Sequence, residues 1–174
     1  SEEIINRNLP IWMTFEPGST FKIITLASSV EEKTVDLFND SFTDTGSIAV
    51  DGARLHCWKH GGHGEQTFLQ VVENSCNPGF VQLGLKLGKE KLFKYIDKFG
   101  FGKKTGVDLN GESNGILFNK DKIGDLELAT TAFGSANSGG SPLLYNSLIL
   151  LGNNFFTSSY AISRYFSCSS LLKL

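Results

Sequence analysis

Glu16-Pro17-Gly18-Ser19-Thr20-Phe21-Lys22, running into the apolar Ile23-Ile24-Thr25-Leu26-Ala27, is the stretch that decides the fold. Pro17-Gly18 signals a turn, and the residues after it read as a helix opening near Ser19 and running to about Glu32. Positions three apart share a helix face, which puts the Lys22 amine within reach of the Ser19 hydroxyl. A serine alcohol is a poor nucleophile until a base takes its proton. A lysine half-buried against Phe21, Ile23 and Leu26 has its pKa lowered enough to serve as that base. The helix N-terminus adds a positive dipole end where the oxyanion of an acyl transfer would develop. Ser-x-x-Lys alone also fits any amphipathic helix with a serine cap, so the rest of the chain has to discriminate.

Working outward, the bulk properties narrow the choices. The chain has 174 residues and a formal charge of −2, the size of one ordinary domain with room for a core. No basic stripe exists, which argues against a nucleic-acid partner. Fourteen Phe and nineteen Gly favour a packed, loop-rich globule over a disordered chain. The first residues, Ser1-Glu2-Glu3, carry no signal-peptide pattern and no initiator Met. No run reaches the roughly 18 apolar residues of a membrane span, and Leu143–Leu151 is broken by Asn146 and Ser147. A membrane anchor is therefore expected outside these residues.

Downstream of the first helix, Thr45–Val50 and Ala53–Leu55 flank Asp51-Gly52 and predict a small hairpin. His56, Cys57, His60 and His63 then fall within eight residues. Their spacing matches no standard zinc module, and the surrounding glycines read as a loop, so neither metal nor cofactor is expected. Apolar Phe68, Leu69, Val71 and Val72 predict a helix from Gln66, stopped at Asn77-Pro78-Gly79. Further helices are expected over Phe80–Leu87, Lys89–Phe99 and Asp125–Phe133. Phe99–Gly106 reads as a glycine-rich connector, while 107–109 and 115–118 read as extended. All eighteen acidic residues precede Gly134, and beyond it only Arg164 and Lys173 carry charge. Soluble surfaces are rarely built that way.

The second constellation is Ser75-Cys76-Asn77. A hydroxyl and an amide at a helix end can relay a proton and hold a carbonyl in one cleft, although the same triplet also serves as a plain C-cap. Paired with Ser19-Thr20-Phe21-Lys22 it resembles the class B penicillin-binding proteins. The likeness extends to Asn6-Arg7, Gly62-His63-Gly64, the Phe99–Leu109 connector and Ala129-Thr130-Thr131-Ala132-Phe133-Gly134. Cys57-Trp58, Gly61-Gly62-His63-Gly64 and the cysteine of Ser75-Cys76-Asn77 look closest to the sporulation-specific (stage V, D type) branch.

The resemblance implies an α+β penicillin-binding transpeptidase fold related to serine β-lactamases. It also implies a D,D-transpeptidase that crosslinks peptidoglycan on the extracytoplasmic face of the membrane. Ser19 would be the nucleophile, Lys22 its base, Ser75 a proton relay and Asn77 a contact for substrate and lysine. Stem peptides would be the substrates and β-lactams the covalent inhibitors. Cell-wall synthesis proteins and a thiol-disulfide reductase would be partners. Cys57 and Cys76 form a candidate redox pair, because a bridge at Cys76 would distort the cleft between two site residues.

The family's third motif, Lys-Thr-Gly on a core strand, is expected well beyond Gly134. Lys104-Thr105-Gly106 has the letters but follows Asn77 too soon and sits inside the connector. After Gly134 the likeness dissolves into Ser135-Ala136-Asn137-Ser138-Gly139-Gly140-Ser141-Pro142. Residues 1–134 are therefore expected to be a partial transpeptidase domain, mainly the helical subdomain with most of the core sheet missing. Residues 135–174 read as an aberrant tail, as from a truncated or frame-shifted copy, inactive alone. Two rivals are a serine β-lactamase, for which no Glu-x-x-x-Asn loop is present, and a non-catalytic β-lactam-binding module.

Overall fold

The computed structural model describes residues 14, 16–106, 108 and 111–135. Pro17 and Gly18 lead into a tight 3₁₀ turn, Gly18–Phe21, that passes directly into helix α1, Lys22–Glu31. The helix predicted from Ser19 is thus a 3₁₀ turn first and an α-helix only from Lys22. The buried face of α1 carries Lys22, Ile24, Thr25, Ser28 and Ser29, an unusually polar set for a central helix. Two of its three buried hydroxyls are satisfied: Ser28 Oγ donates to Ile24 O at 2.6 Å, and Thr25 Oγ1 donates to Ala132 O at 2.8 Å on another helix, while Ser29 Oγ has no partner among the described residues. These bonds remove the cost of burying the donors, about 1–3 kcal/mol each if left unmade.

Two antiparallel ribbons follow. Strands β1 (Ser41–Asp44) and β4 (Gly64–Thr67) pair with Asp44 opposite Gly64. Between them β2 (Ser47–Val50) and β3 (Ala53–His56) form the predicted hairpin across Asp51-Gly52. The β1–β4 pair was not predicted.

Helix α2, Phe68–Glu73, opens with a reciprocal capping box. Thr67 Oγ1 accepts from Gln70 N, and Gln70 Oε1 accepts from Thr67 N at 2.9 Å. Helix α3 spans Asn77–Leu87. This corrects the sequence reading, in which Asn77-Pro78-Gly79 stopped a helix. Proline lacks an N–H and is tolerated in the first helical turn, where that group has no partner, so the triplet starts α3. Helix α4 (Lys89–Lys98) and helix α5 (Asp125–Phe133) lie where the apolar spacing puts them. Residues 115–118 are irregular apart from a single bridge at Ile116.

α1 packs against α3, α4 and α5, and α3 crosses α5 closely, with Gly84 against Ala132. One cluster joins Phe21, Ile24, Leu92, Ile96, Phe101, Leu128 and Ala132. A second joins Val35, Leu37, Phe68, Val71, Cys76, Phe80 and Leu83 under the ribbons. Each fully buried Ile, Leu or Phe contributes about 1.5–3 kcal/mol. The described part is α+β, mainly helical with short sheets only. None of its helices is long and apolar enough to cross a membrane.

Candidate active site

Lys22 is the first residue of α1 and only 3% exposed. Its Nζ donates to Ser75 O at 2.8 Å, to Ser75 Oγ at 2.9 Å and to Asn77 Oδ1 at 2.6 Å. The Phe80 ring lies beneath it, 5.3 Å from Nζ to the centroid. Burial lowers the amine from its ordinary 10.5 to about 8, against a smaller opposing pull from Cys76 and Cys57. The lysine is thus held by three acceptors and loses its proton near pH 8 instead of near 10.5.

The corner that holds it is a helix terminus. Ser75 N donates to Val72 O and Cys76 N to Val71 O, both at 3.0 Å, the paired bonds of a Schellman cap at the end of α2. Such a cap needs one left-handed residue, usually glycine. Here it is Ser75, at φ +48°. A side chain in that region costs on the order of 1 kcal/mol or more, and the strain turns Ser75 O and Oγ together toward Lys22. Asn77, at the start of α3, has its amide oriented by Nδ2 donating to His56 O at 3.3 Å.

Ser19 lies on the 3₁₀ turn before Lys22 and is exposed. Its main-chain oxygen accepts from Lys22 N. Its hydroxyl makes no hydrogen bond among the described residues, so the expected reach of the amine back to Ser19 is not present as a bond. The turn is fixed from behind instead. Gly18 N donates to Gly134 O at 3.1 Å, and a Cβ on Gly134 (φ +84°) would run into Gly18 O. Gly134 was noted in the sequence only as part of a motif; its close approach to the turn has no signature in local spacing.

Structure brings Lys22, Ser75 and Asn77 into one cluster and leaves Ser19 beside it. Lys104-Thr105-Gly106 lies in irregular backbone, where Glu112 accepts from Thr105 N at 2.7 Å and Gly106 N at 3.4 Å. It is a loop and not a strand.

The family model of the "Penicillin binding protein transpeptidase domain" matches residues 3–147. The chain belongs to the penicillin-binding protein transpeptidase family. This transpeptidase-family chain is 66% identical over 135 residues to stage V sporulation protein D of Bacillus subtilis, covering 78% of the chain and 21% of that protein. It is 32% identical over 129 residues to the peptidoglycan D,D-transpeptidase FtsI of Buchnera aphidicola subsp. Baizongia pistaciae, covering 74% of the chain and 22% of that protein. A peptidoglycan synthetase structure from Bifidobacterium adolescentis superposes with a TM-score of 0.74 at 28% identity, over 88% of this chain and 28% of the other. The chain thus spans about a fifth of the length of these curated relatives. What is folded here is part of a penicillin-binding transpeptidase domain.

Cys57 and Cys76, the candidate redox pair, are both free thiols. Their sulfurs converge, within 4.8 Å, on Asp44 and His63. In the sequence His63 groups with Cys57 and reads as loop, while Asp44 is not singled out at all. Nothing in local spacing links Asp44, at the end of β1, to a loop after β3.

Proposed function

We propose that residues 1–134 supply the nucleophile, lysine and Ser-x-Asn part of a D,D-transpeptidase centre acting on peptidoglycan stem peptides. The observation that carries this reading is the buried Lys22 amine, clamped by Ser75 and Asn77 one helical turn from Ser19. Neutral Lys22 takes the Ser19 proton as Ser19 Oγ attacks the carbonyl between two D-alanines. The tetrahedral intermediate collapses, and the proton passes from Lys22 through Ser75 to the departing amine, releasing the terminal D-alanine. An amine from a neighbouring stem then attacks the Ser19 ester, and its proton returns along the same path to restore the serine. Asn77 holds the substrate amide. A β-lactam acylates Ser19 in the same way.

The Buchnera relative is a peptidoglycan D,D-transpeptidase and the Bifidobacterium structure a peptidoglycan synthetase, and the full-length protein is read as working on the extracytoplasmic face of the membrane with other cell-wall synthesis proteins. With residues 135–174 as its tail the chain lacks the third motif in sequence, so it is expected to be incomplete and inactive in crosslinking alone. Oxidation of the Cys57 and Cys76 thiols to a disulfide by an extracytoplasmic thiol oxidant, which takes up the two electrons and two protons, would switch the corner off, and a thiol-disulfide reductase would reverse it.

The test is a fluorescent penicillin with peptide mapping of the adduct. Label on Ser19 that vanishes in Ser19→Ala supports the reading. Label that survives Ser19→Ala overturns the assigned nucleophile, and a folded chain that never labels overturns the acyl-transfer reading.

A further inference from the structure

Beneath the Ser-x-Asn corner lies a cluster that the acyl-transfer chemistry does not use. Asp44, Cys57, His63 and Cys76 each point one donor atom at a common centre, all within 4.8 Å of one another. Asp44 Oδ2 lies 2.9 Å from His63 Nδ1 and 3.3 Å from Cys76 Sγ, and Cys57 Sγ lies 3.3 Å from His63 Nδ1. Around a tetrahedral zinc ion, donors at 2.0–2.3 Å stand about 3.3–3.8 Å apart, so small movements convert one arrangement into the other.

As a hydrogen-bond network the cluster is crowded. The one oxygen Asp44 Oδ2 faces His63 N, His63 Nδ1 and Cys76 Sγ, while Asp44 Oδ1 accepts from Gly46 N at 2.8 Å. The other imidazole nitrogen, Nε2, is buried without a partner among the described residues, so the ring's polar contacts all lie on the cluster side. Convergence of two thiols, an imidazole and a carboxylate on one point is what a single cation would organise.

Backbone structure sets the donors in place. Asp44 ends β1, Cys57 follows β3, His63 precedes β4, and Cys76 completes the cap of α2. Cys57 N donates to Gly46 O at 2.9 Å. Gly62, at φ +80°, passes so close to Asp44 O and Gly46 N that a Cβ there would collide with both. Trp58 closes the outside, its ring edge-on to His63 at 5.3 Å and its Nε1 donating to Asn74 O at 2.9 Å. Asp44 is 1% exposed and Cys76 fully buried. Two-stranded ribbons are marginal by themselves, and a metal staple is one of the few ways to hold such a layer.

We propose that Asp44, Cys57, His63 and Cys76 bind one tetrahedral Zn²⁺ ion, which pins the corner that holds Lys22. Two sulfurs and an imidazole select zinc over magnesium or calcium. On binding, each thiol releases its proton to solvent; no electron moves. Cys76 stands between Ser75 and Asn77, so the ion would act as a positioning element for both. Metal and a Cys57–Cys76 bridge exclude each other, because both use the same sulfurs.

The test uses the whole chain, reduced with a non-thiol reductant, stripped by a chelator, then titrated with Zn²⁺ or with Co²⁺ as a spectroscopic probe. One equivalent per chain is expected, with thiolate-to-cobalt charge-transfer bands, intense tetrahedral visible bands and a higher Tm with zinc. Cys57→Ser and Cys76→Ser should each weaken binding at least tenfold, as should Asp44→Asn and His63→Gln, while Cys168→Ser should leave it unchanged. Uptake well below one equivalent overturns the proposal. So does a cobalt spectrum without thiolate bands, or equal uptake by the Cys57→Ser/Cys76→Ser double variant. Should the variants fail to fold by circular dichroism, the stoichiometry and cobalt spectrum of the unaltered chain decide. Penicillin labelling at Ser19, measured separately, stands or falls independently of this result.

Discussion

Two helix ends in this molecule are built to one plan and filled differently. α2 ends through Val71, Val72, Ser75 and Cys76, and α5 ends through Thr130, Thr131, Gly134 and Ser135, each with the same crossed pair of backbone bonds. The left-handed position is Gly134 in α5 and Ser75 in α2, at φ +84° and +48°. Glycine is the low-cost answer there. At Gly134 nothing but glycine fits, because Gly18 presses against it. At Ser75 the chain keeps a strained side chain whose hydroxyl reaches Lys22. One end is therefore fixed by packing and the other by its bond with Lys22, and between them they hold both halves of the Ser-x-x-Lys motif.

The largest test of this contrast is electrostatic. The unfolded chain keeps the Lys22 proton up to about pH 10.5, whereas the folded chain releases it near 8. Between those values the unfolded state binds more protons, so stability should rise with pH by up to about 3 kcal/mol relative to Lys22→Met. Chemical denaturation of both proteins across that range checks it; parallel curves would mean Lys22 is not desolvated. Labelling at Ser19 should climb as pH approaches 8 from below and level off above it, as the Lys22 amine loses its proton.

Next in size, Gly134→Ala should destabilise the fold by about 2–3 kcal/mol through overpacking and a disfavoured φ. Urea unfolding gives the number, and a loss under about 0.5 kcal/mol would show that the Gly18 contact is loose. Thr25→Val removes the bond to Ala132 O that anchors the last turn of α5, and should cost about 1 kcal/mol. Smallest, and opposite in sign, Ser75→Gly should stabilise the chain by about 0.5–1 kcal/mol by relieving the left-handed strain. The same variant should slow acylation, and Ser75→Ala should slow it equally with no gain in stability. If Ser75→Gly destabilises, the Ser75 hydroxyl contributes more through its bond with Lys22 than its left-handed backbone costs.

What was legible in the sequence was local. Asp51-Gly52 between two short apolar-polar runs gave the β2–β3 hairpin, and the spacing of Leu92, Phe93 and Ile96 gave α4. Lys22 with Ser75 and Asn77 was legible only through the joint presence of two motifs, and the structure brings those three together. Asn77-Pro78-Gly79 misled because proline and glycine punctuate both helix ends and helix starts. What decided it was Gly79 lying against Val71, a contact between helices that no local pattern records. The β1–β4 ribbon escaped for a similar reason: Ser41–Asp44 and Gly64–Thr67 are too polar to alternate, and they pair across the whole intervening hairpin. Asp44 was hidden with it, whereas His63 was visible beside Cys57 but read as part of a glycine-rich loop.

The bond from Gly18 N to Gly134 O has a practical corollary. Everything from the turn that carries Ser19 to the end of α5 enters and leaves through a single doorway, with its two thresholds a hydrogen bond apart. Residues 18–134 are thus shaped like a cassette. They could be lifted into a surface loop of an unrelated carrier with short spacers and without prying the flanking segments apart.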